Sequence, residues 1–180
     1  MSFYTKTGDD GTTGLLGKER VKKYDVRMET IGALDEASAA LGLARAFVCS
    51  VEIKEITLLL QKKLYLVMAE AASEESVADQ FRSINQESVL EIESIIDHIS
   101  QKISIPSEFI VSGDTKGGAF LGLSRTVIRR AERRIAELID SGLIENKELL
   151  RFINRMSSLL FVLELYENSI VGESDQTLVK

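Results

Sequence analysis

Two clusters of side chains in this sequence suit anion chemistry. The first lies near the N-terminus, where Gly8, Gly11, Gly14 and Gly17 recur every third residue among Thr5, Thr7, Thr12 and Thr13. Small residues let backbone N–H groups approach an anion, hydroxyls add donors, and Lys6, Lys18 and Lys23 add positive charge. The spacing is neither a Walker A loop nor a dinucleotide fingerprint. Five residues separate Gly11 from Gly17, Glu19 follows Lys18, and no strand pattern precedes them. An unliganded terminal arm accounts for this segment about as well.

The second cluster carries more information. Arg125, Arg129, Arg130, Arg133 and Arg134 share one stretch with a single carboxylate, Glu132, in a chain whose net charge is −6. Offsets of four put Arg125, Arg129 and Arg133 on one helical face, with Glu132 beside them. A solvated face paired with acidic neighbours is the plain alternative. Arginine at all five positions favours anion binding, because planar guanidinium forks grip phosphate oxygens bidentately and a solvated face accepts lysine equally well.

Two further positions fit the same picture. Asp35 has Ile31, Ser38 and Gly42 as helical neighbours, a small-residue seam where a carboxylate needs a cation partner; a partly exposed flank explains it as well. Arg151, Asn154, Arg155 and Ser158 form a polar strip on an otherwise apolar segment, which suggests a cavity or interface; a satisfied core amide is the commoner explanation of Asn154. Other chemistries fall away. His98 is the only histidine and reads as a surface residue, no Glu-x-x-His pair exists for a di-iron centre, and Cys49 is the only cysteine. Polyphosphate binding is the chemistry these residues support.

The elements that must position them are helices. With 44% hydrophobic and 28% charged residues, the 180-residue chain has globular composition, and its one proline, Pro106, leaves long stretches free to be helical. Apolar residues recur at helical spacing over about 25–48, 53–72, 86–103, 118–141 and 147–171, the last apolar on more than one side and so expected to be the most buried. Asn85 and Asn146 suit N-caps, and Gly142 suits the position past a helix end. The polar stretch 72–85 reads as a mobile connection, and 104–117 is the other long join. The expected fold is all-α: one domain with an arm over 1–24, a five-helix antiparallel bundle over 25–171 and a dispensable tail over 172–180. No apolar run reaches membrane-spanning length, no signal-peptide pattern opens the chain, and a single cysteine fits the cytoplasm. The acidic net charge argues against a nucleic-acid binder.

In these blocks the sequence resembles the PduO-type ATP:cob(I)alamin adenosyltransferases. The likeness runs from Thr5-Lys-Thr-Gly-Asp-Asp-Gly-Thr-Thr13 through Gly17, Arg20, Val21 and Lys23, then Gly32-Ala-Leu-Asp-Glu36. It continues in Ser124-Arg-Thr-Val-Ile-Arg-Arg-Ala-Glu-Arg-Arg134, in Ile153-Asn-Arg-Met-Ser157 and in Leu160-Phe161. The resemblance implies a five-helix bundle assembled as a homotrimer, with active sites at subunit interfaces. It implies that ATP is held by the arm residues Thr5, Lys6, Thr7, Gly8, Asp9, Gly11, Thr12, Thr13 and Lys23, and by Arg129, Arg130, Glu132, Arg133 and Asn154.

By the same likeness Asp35 and Arg125 would pair across the interface, and Phe109 would displace the corrinoid's lower axial ligand. The implied reaction transfers the 5′-deoxyadenosyl group of ATP to cob(I)alamin and releases triphosphate. Magnesium would assist, with ligands the sequence does not identify, and a corrinoid reductase and an adenosylcobalamin-dependent enzyme would be its partners. Gly122 stands where the family commonly has histidine and Ser158 where it has aspartate, so the nucleotide half matches better than the corrinoid half. The competing class is a non-catalytic ATP-binding helical bundle, which would bind ATP and release no triphosphate.

Overall fold

The computed structural model describes Tyr4, residues 6–172 and residues 176–179. A hairpin of β1 (Thr12–Gly14) and β2 (Arg20–Lys22) precedes the helices α1 (Val26–Phe47), α2 (Val51–Ala72), the one-turn α3 (Ala78–Phe81), α4 (Gln86–Ser100), α5 (Lys116–Asp140) and α6 (Glu148–Val171). The protein is therefore mostly helical, with five long helices at the positions the periodicity predicts.

Local chemistry fixes the helix ends. Asp25 accepts the Arg27 N–H at 2.9 Å, Asn85 the Ser88 N–H at 3.0 Å, and Thr115 the Gly118 N–H at 2.9 Å, each satisfying an amide with no intrahelical partner. Asn146 accepts the Glu148 N–H at 3.1 Å from one residue ahead of the N-cap, Lys147. Past α5, Gly142 takes φ +71°, the left-handed turn in which glycine costs least.

Packing follows the apolar stripes. Helix α1 lies against α2 and α5, and α6 lies against α4 and α5. Leu34, Leu41, Ile128, Ile135, Phe152 and Leu160 are wholly buried between them, and burying each such side chain stabilises the fold by roughly 1.5–3 kcal/mol. The expectation that the last helix is the most buried holds: α6 buries Phe152, Met156 and Leu163 together with Glu164, Glu167 and Asn168. Arg27, also buried, donates to the Ala71 carbonyl at 3.0 Å and the Leu143 carbonyl at 2.8 Å, tying α1 to the ends of two neighbours.

The structure corrects the connections. The arm contains a hairpin, pairing Thr12 with Lys22 and Gly14 with Arg20. Residues 72–85 carry structure of their own where a loose join was expected: a 3₁₀ turn over Glu75–Val77 leads into α3, and Leu16 bridges to Ser73. Helix α4 ends at Ser100, so Ile103 and Pro106 belong to the following loop. The tail is tied down as well. Val111 N–H donates to the Thr177 carbonyl at 2.7 Å, Val179 N–H to the Phe109 carbonyl at 2.8 Å, and the Thr177 hydroxyl to Asp114 at 2.6 Å. Among the described residues no helix is long and apolar enough to cross a membrane.

Candidate active site

Helix α5 carries the arginines, and its packing sorts them. Arg130 turns to α1 and pairs with Glu36, and Arg134 pairs with Glu137 one turn on, at 2.8 Å. Among the described residues Arg125, Arg129 and Arg133 form no ion pair with a carboxylate, and these three recur every four residues along one strip of α5.

Arg129, Glu132 and Arg133 face Arg151, Asn154 and Arg155 of α6 across a cleft of about 500 Å³. Three of the four residues of the polar strip on the last helix therefore face a cavity, and Ser158 is not among its lining residues. Inside it, Asn154 donates to Glu132 Oε1 at 2.7 Å and accepts from Arg155 Nη1 at 3.1 Å, while Arg155 Nε reaches Glu93 at 2.7 Å. This network fixes Asn154 and Glu132 in one orientation. Arg129 and Arg133 stay exposed at the rim, where Arg133 caps the Arg129 carbonyl at 2.8 Å.

Arg125 opens onto a second cleft of about 430 Å³, lined by Pro106, Ser107, Glu108, Phe109, Ile110 and Phe161. Its guanidinium lies 5.9 Å from the centre of the Phe161 ring. Phe109 is 85% exposed, an unusual position for a phenylalanine without a partner, and the Val179 N–H of the tail holds its carbonyl. Arg125 and Arg129 are one turn apart, about 6 Å along the axis, so the phenylalanine-lined cleft and the guanidinium cleft adjoin on one helix.

The arm is built separately. Lys23 Nζ lies 3.2 Å from where a Gly8 Cβ would stand, which puts the lysine over the Lys6–Thr13 loop. Asp10 accepts both the amide and the hydroxyl of Thr12, at 2.9 and 2.8 Å; these two bonds, the hydroxyl first, hold its carboxyl below the usual range. Thr5 lies outside the described residues. Leu16 and Lys18 of the arm hydrogen-bond to the end of α2 and to Glu74 just beyond it, and the bonds within the arginine cleft run between α5, α6 and α4. Asp35 is exposed on α1, and no ion pair among the described residues joins it to Arg125.

Three participants escape the sequence reading. Arg20 Nη2 donates to the Thr7 carbonyl at 2.6 Å and to the Thr12 hydroxyl at 2.8 Å, shaping the loop from β2. Glu74 accepts the Lys18 and Glu19 amides at 2.7 and 2.8 Å. Glu164 is wholly buried behind Arg125, and neither of its oxygens has a partner in hydrogen-bond geometry. A Cβ on Gly122 would stand 2.9 Å from both of those oxygens and 2.8 Å from Ser112 Oγ, so glycine at 122 leaves room for the acid. Only Arg20 had a sequence signal, its place in the N-terminal block.

No group of three or more His, Cys, Asp or Glu side chains that could hold a metal exists among the described residues. The carboxylate of the guanidinium cleft, Glu132, fits a magnesium ion carried on polyphosphate, since that ion keeps most of its waters and needs few protein ligands.

Comparison with known proteins gives the family. The family model for cobalamin adenosyltransferase matches residues 3–167. The corrinoid adenosyltransferase PduO of Salmonella typhimurium is 35% identical over 170 residues, covering 94% of this chain and 50% of the relative; the chain thus spans half that protein's length. Corrinoid adenosyltransferases of Citrobacter freundii and Bacillus subtilis are each 34% identical, covering 93% and 97% of this chain and 95% and 91% of their own. A PduO-type ATP:co(I)rrinoid adenosyltransferase from Lactobacillus reuteri, an arginine-to-lysine variant solved with ATP, superposes with a TM-score of 0.90 at 28% identity over 99% of this chain and all of that one. A phenylalanine-to-alanine variant from the same organism, solved with cobalamin and ATP, superposes at 0.88 with 28% identity over 99% of each chain. The match to the family model over most of the sequence, together with full-length relatives above 30% identity, means that this chain belongs to the cobalamin adenosyltransferase family.

Proposed function

We propose that this protein transfers the 5′-deoxyadenosyl group of ATP to the cobalt of cob(I)alamin, releasing triphosphate. The observation that carries this reading is the adjacency on α5 of a guanidinium cleft and a second cleft lined by Phe161 and Ile110, with the exposed Phe109 at its mouth. A polyanion and a flat apolar macrocycle set side by side are what such a transfer must hold together. Relatives named for this activity, and neighbours solved with ATP and cobalamin, support it.

In the reaction the cobalt electron pair attacks the ribose C5′. A cobalt–carbon bond forms, the C5′–O bond breaks, and that bond pair leaves on triphosphate. Cob(I)alamin is a strong nucleophile, so the chain supplies no general base. Its work is positioning, which is worth several kcal/mol, and stabilising the leaving group. Arg129 and Arg133 face the triphosphate, with Arg130 and Lys23 adding charge. Glu132, anchored by Asn154, orients the arginines and suits the water shell of a phosphate-borne magnesium. The loop of Lys6, Thr7, Gly8, Asp9, Gly11, Thr12 and Thr13, with Thr5, cradles the nucleotide. Phe109, exposed and strapped from behind, excludes water and the lower ligand from the cobalt.

We propose a five-helix bundle forming a homotrimer through the α1–α5 face. Asp35, Ala39, Leu43 and Phe47, all exposed, follow one another every four residues there, and Phe47 stacks 4.9 Å from Phe120 of α5. Asp35 of one copy would then meet Arg125 of the next. In this reading residues 1–24 are the nucleotide arm, 25–171 the bundle and 172–180 a tail, in a cytoplasmic protein that draws on a corrinoid reductase and feeds an adenosylcobalamin-dependent enzyme.

The test is direct. The protein is incubated with ATP, magnesium and chemically reduced cobalamin. A light-sensitive alkylcobalamin spectrum with equimolar triphosphate is expected. ATP binding without triphosphate release would instead indicate a carrier or sensor.

A further inference from the structure

A hairpin of three residue pairs does not hold itself in place, since two-stranded ribbons are marginal even when longer. The end of α2 holds this one. Leu16 N–H donates to the Ala72 carbonyl at 2.8 Å and Glu74 N–H to the Leu16 carbonyl at 3.1 Å, one step of parallel pairing. Beside it the Glu74 carboxylate, 8% exposed, takes the Lys18 and Glu19 amides on one oxygen and the Ser76 hydroxyl on the other. Gly17 makes the approach possible. Its φ of +134° is a glycine conformation, and a Cβ there would overlap the Glu74 carboxyl.

The turn after β1 is thus an anion-binding nest already filled by the protein's own carboxylate. From that fixed turn the chain enters β2, where Arg20 reaches back to the Thr7 carbonyl and the Thr12 hydroxyl. The contacts form a relay from Glu74 through the 17–19 turn and Arg20 to the Lys6–Thr13 loop.

We propose that Glu74 is a positioning residue for the nucleotide: by occupying the 17–19 amide nest it docks the arm in its binding conformation and leaves the Lys6–Thr13 loop as the phosphate cradle. This inference rests on assigning the arm to ATP. Its energetic logic is that a ligand's apparent affinity falls by the fraction of protein in the competent state, so a loosened arm weakens ATP binding without touching a single ATP contact. The Ser76 hydroxyl chiefly, then the Glu19 and Lys18 amides, hold the Glu74 carboxyl below its usual range, which favours the ionised form that accepts them.

The experiment measures magnesium-ATP binding by calorimetry, steady-state kinetics and limited trypsin cleavage at Lys18, Arg20, Lys22 and Lys23 for the full chain. For E74A the ATP Kd and KM rise about tenfold, equivalent to ~1.4 kcal/mol, while kcat at saturating ATP and the corrinoid KM stay within about twofold. Trypsin cuts the arm of E74A faster. E74D, one methylene short of the amides, behaves like E74A. E74Q stays near wild type, because its amide oxygen accepts both N–H groups and its NH₂ donates to Ser76. G17A, which expels the carboxylate from the other side, reproduces E74A, and the double variant is no worse than either. ATP affinity unchanged in both E74A and G17A overturns the proposal, as does equal weakening of ATP and corrinoid. A wild-type protein that binds no ATP sinks the nucleotide assignment; arm docking is then still read by the trypsin rates, and equal rates in wild type and E74A sink that too.

Discussion

Glu164 allows a quantitative test of how this fold tolerates charge near its site. The side chain is wholly buried, neither oxygen has a hydrogen-bond partner, and it sits behind Arg125 and Gly122. Burial pushes its carboxyl above the ordinary Glu value of 4.5; the nearby Ser112 hydroxyl, which does not reach hydrogen-bond geometry, and Arg125 pull it part of the way back, and Asp114 pushes it further up. An unsatisfied buried polar group costs roughly 1–3 kcal/mol, so E164L should stabilise the protein by about 2 kcal/mol. For a chain of this size that raises Tm by roughly 4–8 °C. The pH dependence carries the sign. The folded carboxyl keeps its proton to higher pH than the unfolded one, so the folded state binds more protons above about pH 4.5, and stability falls as pH rises through that window. Glu70, also raised by burial against the pull of Asn146 and Arg82, adds a fall of the same sign that the variant retains. E164Q, neutral at every pH, should therefore match wild type near pH 4 and gain on it progressively towards pH 8. Thermal unfolding of wild type, E164L and E164Q, without ligand and at one protein concentration, reads all three. A lower Tm for E164L at pH 8, or parallel pH profiles for wild type and E164Q, refutes the account of an unpaired buried acid.

The same contact predicts that G122H alone is destabilised by about 1–3 kcal/mol through overpacking, and that G122H/E164A recovers part of the loss in chemical denaturation; strictly additive effects would break the link between the two positions. F109A, which removes an exposed side chain, should leave Tm and ATP affinity within error while lowering kcat at least tenfold, about 1.4 kcal/mol; equal losses in ATP binding and turnover would remove Phe109 from the corrinoid side. R125A and D35A should each weaken self-association and activity together, and an unaltered sedimentation profile for both would exclude the interface pair.

How much of this was legible in the sequence depends on how local the cause is. The five long helices followed from apolar periodicity, and the caps at Asn85 and Gly142 from residue type, because such signals act within one or two turns. The clefts were half legible. Offsets of four put Arg125, Arg129 and Arg133 on one strip, but only packing reveals that Glu36 and Glu137 neutralise Arg130 and Arg134. The misses are long-range. Glu74 meets amides more than fifty residues earlier in the chain, Glu164 fills space opened by a glycine forty-two residues before it, and the tail at Thr177 pairs with Val111. No periodicity records such meetings, and a polar stretch such as 72–85 looks like a loose join until its partner is known.

The partition of the arginines also has an energetic consequence. Guanidinium groups four apart on an exposed helix repel by a few tenths of a kcal/mol per pair. The fold relieves two of the five with internal carboxylates and leaves Arg125, Arg129 and Arg133 without one among the described residues. Helix α5 tolerates this because its other face, with Ile128, Ala131 and Ile135 fully buried, is fixed in the core. The repulsion is therefore held in a rigid element and does not relax by fraying. A polyanion entering the cleft finds the backbone that carries its partners already in place, and it removes a strain the ligand-free protein carries. Binding energy of this kind is available at the site only because core packing, and not charge pairing, keeps α5 folded.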